Sequence, residues 1–227
     1  MTILATDGVR FSQVVKHEYP AQSGYCRDTL TVNDAAATLQ VGSVLGAYIA
    51  SPTAAAGAVV GTGNAAVGTI SVVSTAQTKL DTYSIVFLTA TTFQVEDSKG
   101  SVIGTGVNGA AFSENGITFT VTAGGTAMTA GSYIPLVVSG TTKYRLVSAT
   151  ATDGSQVAKA VLIADQIGLS HPTTLVANTD TPYLALTRGP AIVASPSLSF
   201  NANVTGTAIT TALSQLASVG IISTTQV

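Results

Sequence analysis

KYRLVSATATDGSQVAKAVLIADQIG (residues 143–168), DTPYLALTRGPAIVASPSLSF (180–200) and ALSQLASVGI (212–221) decide the fold class. They read in order as strand, Asp-Gly turn, apolar strand, polar loop, strand, Arg-Gly-Pro break, strand and helix. Ala158–Leu162 is a strand-length apolar run bounded by Asp153-Gly154 on one side and a polar loop on the other. Ile209, Ala212, Leu213 and Leu216 share one face at a 3.6-residue period. A threonine at 205–207 supplies the helix start and Gly220 the end. The β-branched residues of that helix give it weak intrinsic propensity, so packing must hold it.

Outward from this segment, residues 25–60 add strand signals at Leu30 and Val32, an Asn33-Asp34 turn, then Leu39, Val41 and Val44–Ile49. SPTAAAGAVVGTGNAA (51–66) reads as a small-residue linker, which places a boundary near residue 60. Residues 61–142 form a separate β unit. Ile117, Phe119 and Val121 alternate with Thr118, Thr120 and Thr122, a half-buried strand behind the tight-turn signal Asn115-Gly116. Tyr83, Ile85 and Phe87 give a second strand, Phe93 and Val95 a third, Ile70 and Val72 a fourth. Pro135 cannot donate to a ladder, which predicts an edge strand over Tyr133–Val138. So many strands in so short a block imply a small sandwich or barrel. Residues 1–24 show few periodic apolar positions and a raised charge density, which fits a disordered terminus and equally an arm that orders on a partner.

The chain has 227 residues, 46% hydrophobic and only 9% charged, against about 25% charged in average domains. It is long enough for one large or two small domains. Hydroxyls and small side chains replace the missing charge, and so weakly charged a surface favours association. A net charge of -2 with scattered basic residues excludes a nucleic-acid footprint. Mean hydropathy is +0.45, yet no window approaches the run of about 20 apolar residues that a spanning helix needs, so no membrane partner is expected. No charged start followed by an apolar signal core is present, so secretion is not expected. The single cysteine, Cys26, excludes an internal disulfide and fits a reducing cytoplasm.

No constellation for catalysis stands out. Gly104-x-Gly106-x-x-Gly109 fits the dinucleotide fingerprint by letter, but a strand rather than a helix follows it, so no cofactor is expected. Glu96 and Asp97 are adjacent and would point to opposite faces of a strand. Two histidines, one cysteine and no His-x-x-x-His spacing argue against a transition-metal site. A triad through His171 lacks a Gly-x-Ser-x-Gly elbow, and His171-Pro172 reads more simply as a restricted loop.

The order and wording of the final third resemble the head-decoration (capsid cement) proteins of tailed phages. The resemblance rests on Asp153-Gly154-Ser155 with Ala158 to Leu162, on Thr187-Arg188-Gly189 with Ala191-Ile192-Val193, and on Leu213, Leu216 and Gly220-Ile221. Upstream, Val41-Gly42-Ser43-Val44-Leu45-Gly46 matches the segment such proteins carry near their start. The block Gly63-Asn64, Gly68-Thr69-Ile70, Tyr83 to Phe87, Phe93-Gln94-Val95, Gly109, Ile117-Thr118-Phe119 and Ala123-Gly124 is similar to the β insert of larger members. The resemblance implies a mainly β (α+β) base, barrel-like with a short C-terminal helix, built from 25–60 and 143–227 and interrupted by the insert at 61–142. It implies a non-enzymatic homotrimer on the outer surface of the mature head, made in the host cytoplasm, with the major capsid protein as partner. The arm would reach the capsid through Val9, Phe11, Val14, Val15 and Tyr19. Arg188, Leu213 and Leu216 would serve the trimer interface. The alternative is a β-rich virion adhesin or fibre module that binds host glycans, with Tyr83 and Tyr133 of the insert as stacking aromatics.

Overall fold

A computed structural model describes residues 9–20, 24–35, 37–164 and 173–225. The chain is mainly β, 47% strand against 9% helix, with a five-stranded barrel, further sheets and a short C-terminal helix. It divides into two compact units, Met1–Tyr48 with Thr142–Val227, and Ile49–Thr141.

In chain order, α1 is the single turn Phe11–Val14, and β1 (Val15–Glu18), β2 (Arg27–Val32), β3 (Thr38–Leu39) and β4 (Val44–Ala56) follow. Then come β5 (Ala65–Val67), β6 (Ser71–Val72), β7 (Thr82–Phe87), β8 (Thr92–Glu96), β9 (Val102–Val107), β10 (Ala111–Glu114) and β11 (Ile117–Ala123). The chain closes with β12 (Tyr133–Leu146), β13 (Ala158–Ala164), β14 (Thr173–Thr174), β15 (Thr181–Leu186), β16 (Ala191–Ala194), α2 (Thr207–Ser218) and β17 (Ile221–Thr224).

The barrel belongs to the first unit. Its strands follow the order β2, β15, β13, β4, β12, and β12 returns to β2 in parallel at Tyr144 opposite Val32. Closure removes the free edges that an open sheet would expose. The run Ala158–Ile163 has no polar-apolar alternation apart from Lys159 because both of its faces are covered. Ala160 and Leu162 join Leu30, Val32, Leu45, Leu146, Tyr183 and Ala185 in one core. Val161 and Ile163 join a second core with Val14, Val15, Val44, Leu186, Val193, Leu216 and Ile221. The three-stranded sheet β1-β16-β17 and helix α2 contribute to that second core. Helix α2 ends at Ser218, and Gly220 takes the left-handed backbone beyond it.

The second unit has two sheets. Strands β12, β7, β8 and β9 lie in order in one, with Ile85 facing Ile134 and Val95 across the ladders. In the other, β11 sits between β10 and β5 and also pairs with β6. Side chains of both meet in one core, Tyr83, Ile85, Phe87, Phe93, Val95, Phe112, Ile117, Phe119, Ile134 and Leu136 among them. Phe93 is its hub, with ring centroids 6.0 Å from Phe87, 6.3 Å from Phe112 and 6.1 Å from Phe119.

Three expectations are corrected. The unit boundary falls at Ile49, not near residue 60, because the small-residue stretch continues β4 to Ala56. The strand runs through to Ala56 even though Ser51 takes a left-handed φ of 48° and Pro52 follows it. Pro135 does not lie on an edge strand: β7 flanks it on one side, opposite Ser84, and its carbonyl accepts the Gly57 N–H on the other. Proline has no N–H to contribute on the Gly57 side, so that pairing stays local. The described part of residues 1–24 is not a free arm. Its one-turn helix and β1 carry Val14 and Val15 into the core, and β1 pairs antiparallel with β16. The glycine fingerprint is a packing device. Gly104 and Gly106 lie on β9, where a Cβ at Gly106 would overlap the Phe93 ring and one at Gly104 would meet Glu114 Cγ at 2.7 Å.

Candidate interaction surface

Thirteen aromatic side chains occur in the chain, seven tyrosines and six phenylalanines. Ten are buried or half-buried. The three exposed ones are Phe11 (38%), Tyr19 (64%) and Tyr25 (54%), all within fifteen residues of sequence. The fold gathers them near the start of β2.

Two guanidinium stacks organise the region. Arg27 donates from Nε to Glu18 Oε2 at 3.1 Å and from Nη2 to Glu18 Oε1, while its guanidinium lies 5.2 Å from the Phe11 ring centroid. Arg188 donates to both Asp28 oxygens, at 2.6 and 3.0 Å, and lies 5.2 Å from the Tyr25 ring centroid. Arg27 and Asp28 are consecutive, so the pleat sends their side chains to opposite faces of β2. Each face of the strand end thus carries one aromatic, one guanidinium and one carboxylate. The Tyr19 N–H donates to Pro190 O at 3.0 Å, which ties the third aromatic to the Arg188-Gly189-Pro190 break. The break is narrow because Gly189 and Gly220 touch backbone to backbone, and a side chain at Gly189 would strike the Gly220 carbonyl. A cleft of about 380 Å³ opens beside Phe11, Val15, Lys16, His17, Glu18 and Arg27.

Hydrogen bonds from Arg188 and Thr187 hold the Asp28 carboxyl below its usual range. A second network lies elsewhere in the unit. There Arg145 pairs with Asp153, donates to Ser155 Oγ at 2.8 Å and sits 4.9 Å from the Tyr48 ring centroid. Burial pushes Asp153 up, but Arg145 and Ser155 outweigh it and the net shift is down. Carboxylates with depressed folded-state values stabilise the fold above the unfolded value near 4 and lose that contribution as pH falls through the folded value. Thermal stability should therefore fall on acidification below about pH 4. Asp28→Asn should be less stable than the parent at pH 6, and the gap should shrink by pH 3. Melts across that range check it, and a pH-independent gap would count against the pairing.

The expected site residues divide. Phe11 and Tyr19 are exposed and Val9 is half-buried, but Val14 and Val15 are buried in the core of their own unit. Leu216 is 0% exposed and Leu213 packs partly against the same core, so both help to hold α2 in its own unit. A helix stripe at core periodicity looks the same from sequence whether it covers its own barrel or a neighbour. Arg188 keeps an exposed flank, yet its charge is already engaged by Asp28. Tyr25, Arg27, Asp28 and Glu18 were not expected as site residues. Tyr25 and Arg188 are far apart in sequence, and only the pairing of β2 with β15 brings them together.

No catalytic arrangement emerges among the described residues. No group of three or more His, Cys, Asp or Glu is placed to hold a metal ion. Glu96 accepts a hydrogen bond from Gln94, while Asp97 accepts from the Lys99 and Ser101 N–H groups at 3.0 and 2.9 Å, a turn-building role. Cys26 is buried, with Sγ 3.4 Å from Tyr19 O. His171 lies outside the described residues. Tyr83, expected to stack on a sugar, is 1% exposed inside the insert core, which removes it from any glycan site.

The first unit is thus a closed barrel with an aromatic-arginine surface, and no catalytic group is assembled among the described residues. The chain matches the family described as bacteriophage lambda head decoration protein D over residues 4–221. It belongs to that family, and the membership supports a role in phage capsid decoration. No curated protein matches it. Among solved structures, one crystal form of Xanthomonas campestris FlgL is similar at 23% identity, over 45% of this chain and 33% of that one, with a TM-score of 0.32. A second form gives 20% identity, 53% and 34% coverage, and a TM-score of 0.29. The chain thus spans about a third of the length of those structures, and with scores this low the likeness carries no functional weight.

Proposed function

We propose that this protein binds the outside of the mature phage head as a homotrimer and stabilises the shell against internal DNA pressure. It does so through the Phe11, Tyr19 and Tyr25 surface, with the major capsid protein as partner. The gathering of every exposed aromatic beside two arginines carries this reading. Tyrosine and arginine dominate interface hot spots, because they bury large area at low entropic cost. Here each guanidinium is already paired, so docking needs little further desolvation of free charge. A ligand that binds an intact shell and not a disrupted one stabilises that shell by mass action. Residues 49–141 are an insert that head binding does not require.

The test is a binding isotherm on expanded heads and on unexpanded proheads. The parent should bind expanded heads only. The triple variant Phe11→Ser, Tyr19→Ser, Tyr25→Ser should keep its melting temperature within a few degrees and lose about a hundredfold in affinity, at roughly 1 kcal/mol per truncated ring. A chain with Ile49–Thr141 replaced by a short Gly-Ser turn should bind as the parent does. Unchanged affinity of the triple variant would place the contact elsewhere.

A further inference from the structure

We infer that the cleft beside Phe11 takes an acidic segment of the partner protein, one that sets an Asp or Glu side chain against Lys16 and His17 and an apolar side chain against the Phe11 ring. The inference rests on the docking proposed above and gives the chemistry of what is docked.

Strand β1 aims two basic side chains the same way. Regular alternation would place Val15 and His17 on one face and Lys16 and Glu18 on the other. The register slips instead. Val15 stands opposite Val193 and His17 opposite Ile192, so two steps on β1 answer one step on β16. A bulge of this kind re-aims side chains and recurs next to functional sites. Lys16 and His17 are both exposed as a result, while Val15 and Glu18 are both buried.

The charges at the cleft do not cancel. Lys16, His17, Glu18 and Arg27 are the titratable residues that line it. Glu18 is 8% exposed and is held by both Nε and Nη2 of Arg27, so that pair is close to neutral toward an incoming group. Lys16 Nζ donates to Ser12 O at 3.2 Å, a neutral acceptor, and meets no carboxylate among the described residues. A chain of net charge -2 thus holds an unneutralised ammonium and an imidazole beside one aromatic cleft.

This chemistry selects the occupant. A carboxylate accepts from an ammonium and from an imidazole N–H alike. A nucleic-acid backbone is met by clustered Lys and Arg, and one free lysine is too few. The Phe11 ring, 38% exposed, and the aliphatic stem of Lys16 offer apolar surface to the residue beside the carboxylate. The occupant is therefore a protein segment, acidic at one position and apolar next to it. Complementary charge of this kind fixes register and speeds association.

The experiment is a set of binding isotherms on expanded, DNA-free heads at about 0.1 M and about 1 M salt, between which the screening length falls from about 10 Å to about 3 Å. At the lower salt, Lys16→Gln should weaken binding about threefold and Lys16→Glu about tenfold or more, chiefly through slower association. At the higher salt the parent and both variants should converge to within about threefold. Lys99→Glu in the insert makes the same charge change and should bind as the parent does. Every variant should melt within a few degrees of the parent, and a short duplex DNA added as competitor should displace none of them. Parent-like affinity of Lys16→Glu at the lower salt, an equal loss at both salts, an equal loss from Lys99→Glu, or displacement by DNA would each overturn the acidic occupant. The triple variant of Phe11, Tyr19 and Tyr25 separates this inference from the docking itself. If the triple variant loses affinity and Lys16→Glu does not, the docking stands and the acidic occupant falls. If the triple variant binds as the parent does, both fall.

Discussion

Deleting residues 1–18 is expected to lower the melting temperature by about 10 °C or more. Val14 is fully buried and Val15 nearly so, and each contributes roughly 1.5–3 kcal/mol by leaving water. The deletion also strips β1 from β16, where Val15 faces Val193 and Glu18 faces Ala191. It removes Glu18 from Arg27 and opens the core beside Val193 and Ile221. Together these losses come to about 4–6 kcal/mol, and in a chain of this size each kcal/mol moves the midpoint by about 2–4 °C. Differential scanning calorimetry of the two proteins checks it. A midpoint shift under about 3 °C would mean that the segment rests on the base without holding it.

Phe93→Ala should destabilise the insert by about 3–5 kcal/mol, the range for removing a fully buried phenylalanine. Phe93 is 0% exposed and touches three other rings. Its ring also fills the space above Gly106, so Gly106→Ala alone should cost about 1–3 kcal/mol through overpacking. The double variant gives the sharper test. The cavity left by Phe93→Ala has room for the new methyl group, so the two costs should fall short of additivity by about 1 kcal/mol or more. Urea unfolding followed by the fluorescence of Tyr83, which lies in this core, measures all three. Strict additivity would show that the ring and the glycine do not share space.

The alternation at Ile117–Thr122 and the Asn115-Gly116 turn before it were legible, and β10 and β11 form that hairpin with Glu114 opposite Ile117. Asn115 and Gly116 both take positive φ, as the letters require. The stripe Ile209, Ala212, Leu213, Leu216 gave helix α2, though not which body it would cover. The course of Val44–Ala56 was hidden, since small residues mark strands and linkers alike. The tie-down of residues 10–18 was hidden too. Two valines inside a charged, irregular stretch show no period, and only their partners on β16 and α2 reveal a core. The interaction surface was half legible. Phe11, Tyr19 and Arg188 are visible as letters, but Tyr25 meets Arg188 only through long-range strand pairing.

The ends of the insert lie side by side. Ile49 and Ala50 crowd Gly140, and Gly57 hydrogen-bonds to Pro135. The host chain therefore leaves and re-enters through neighbouring points, and the loop it must close is as short as a hairpin turn, whatever hangs beyond. Closure entropy depends on that gap and only weakly on the length outside it. Lineages could lengthen, shorten or replace this domain without renegotiating the folding of the barrel.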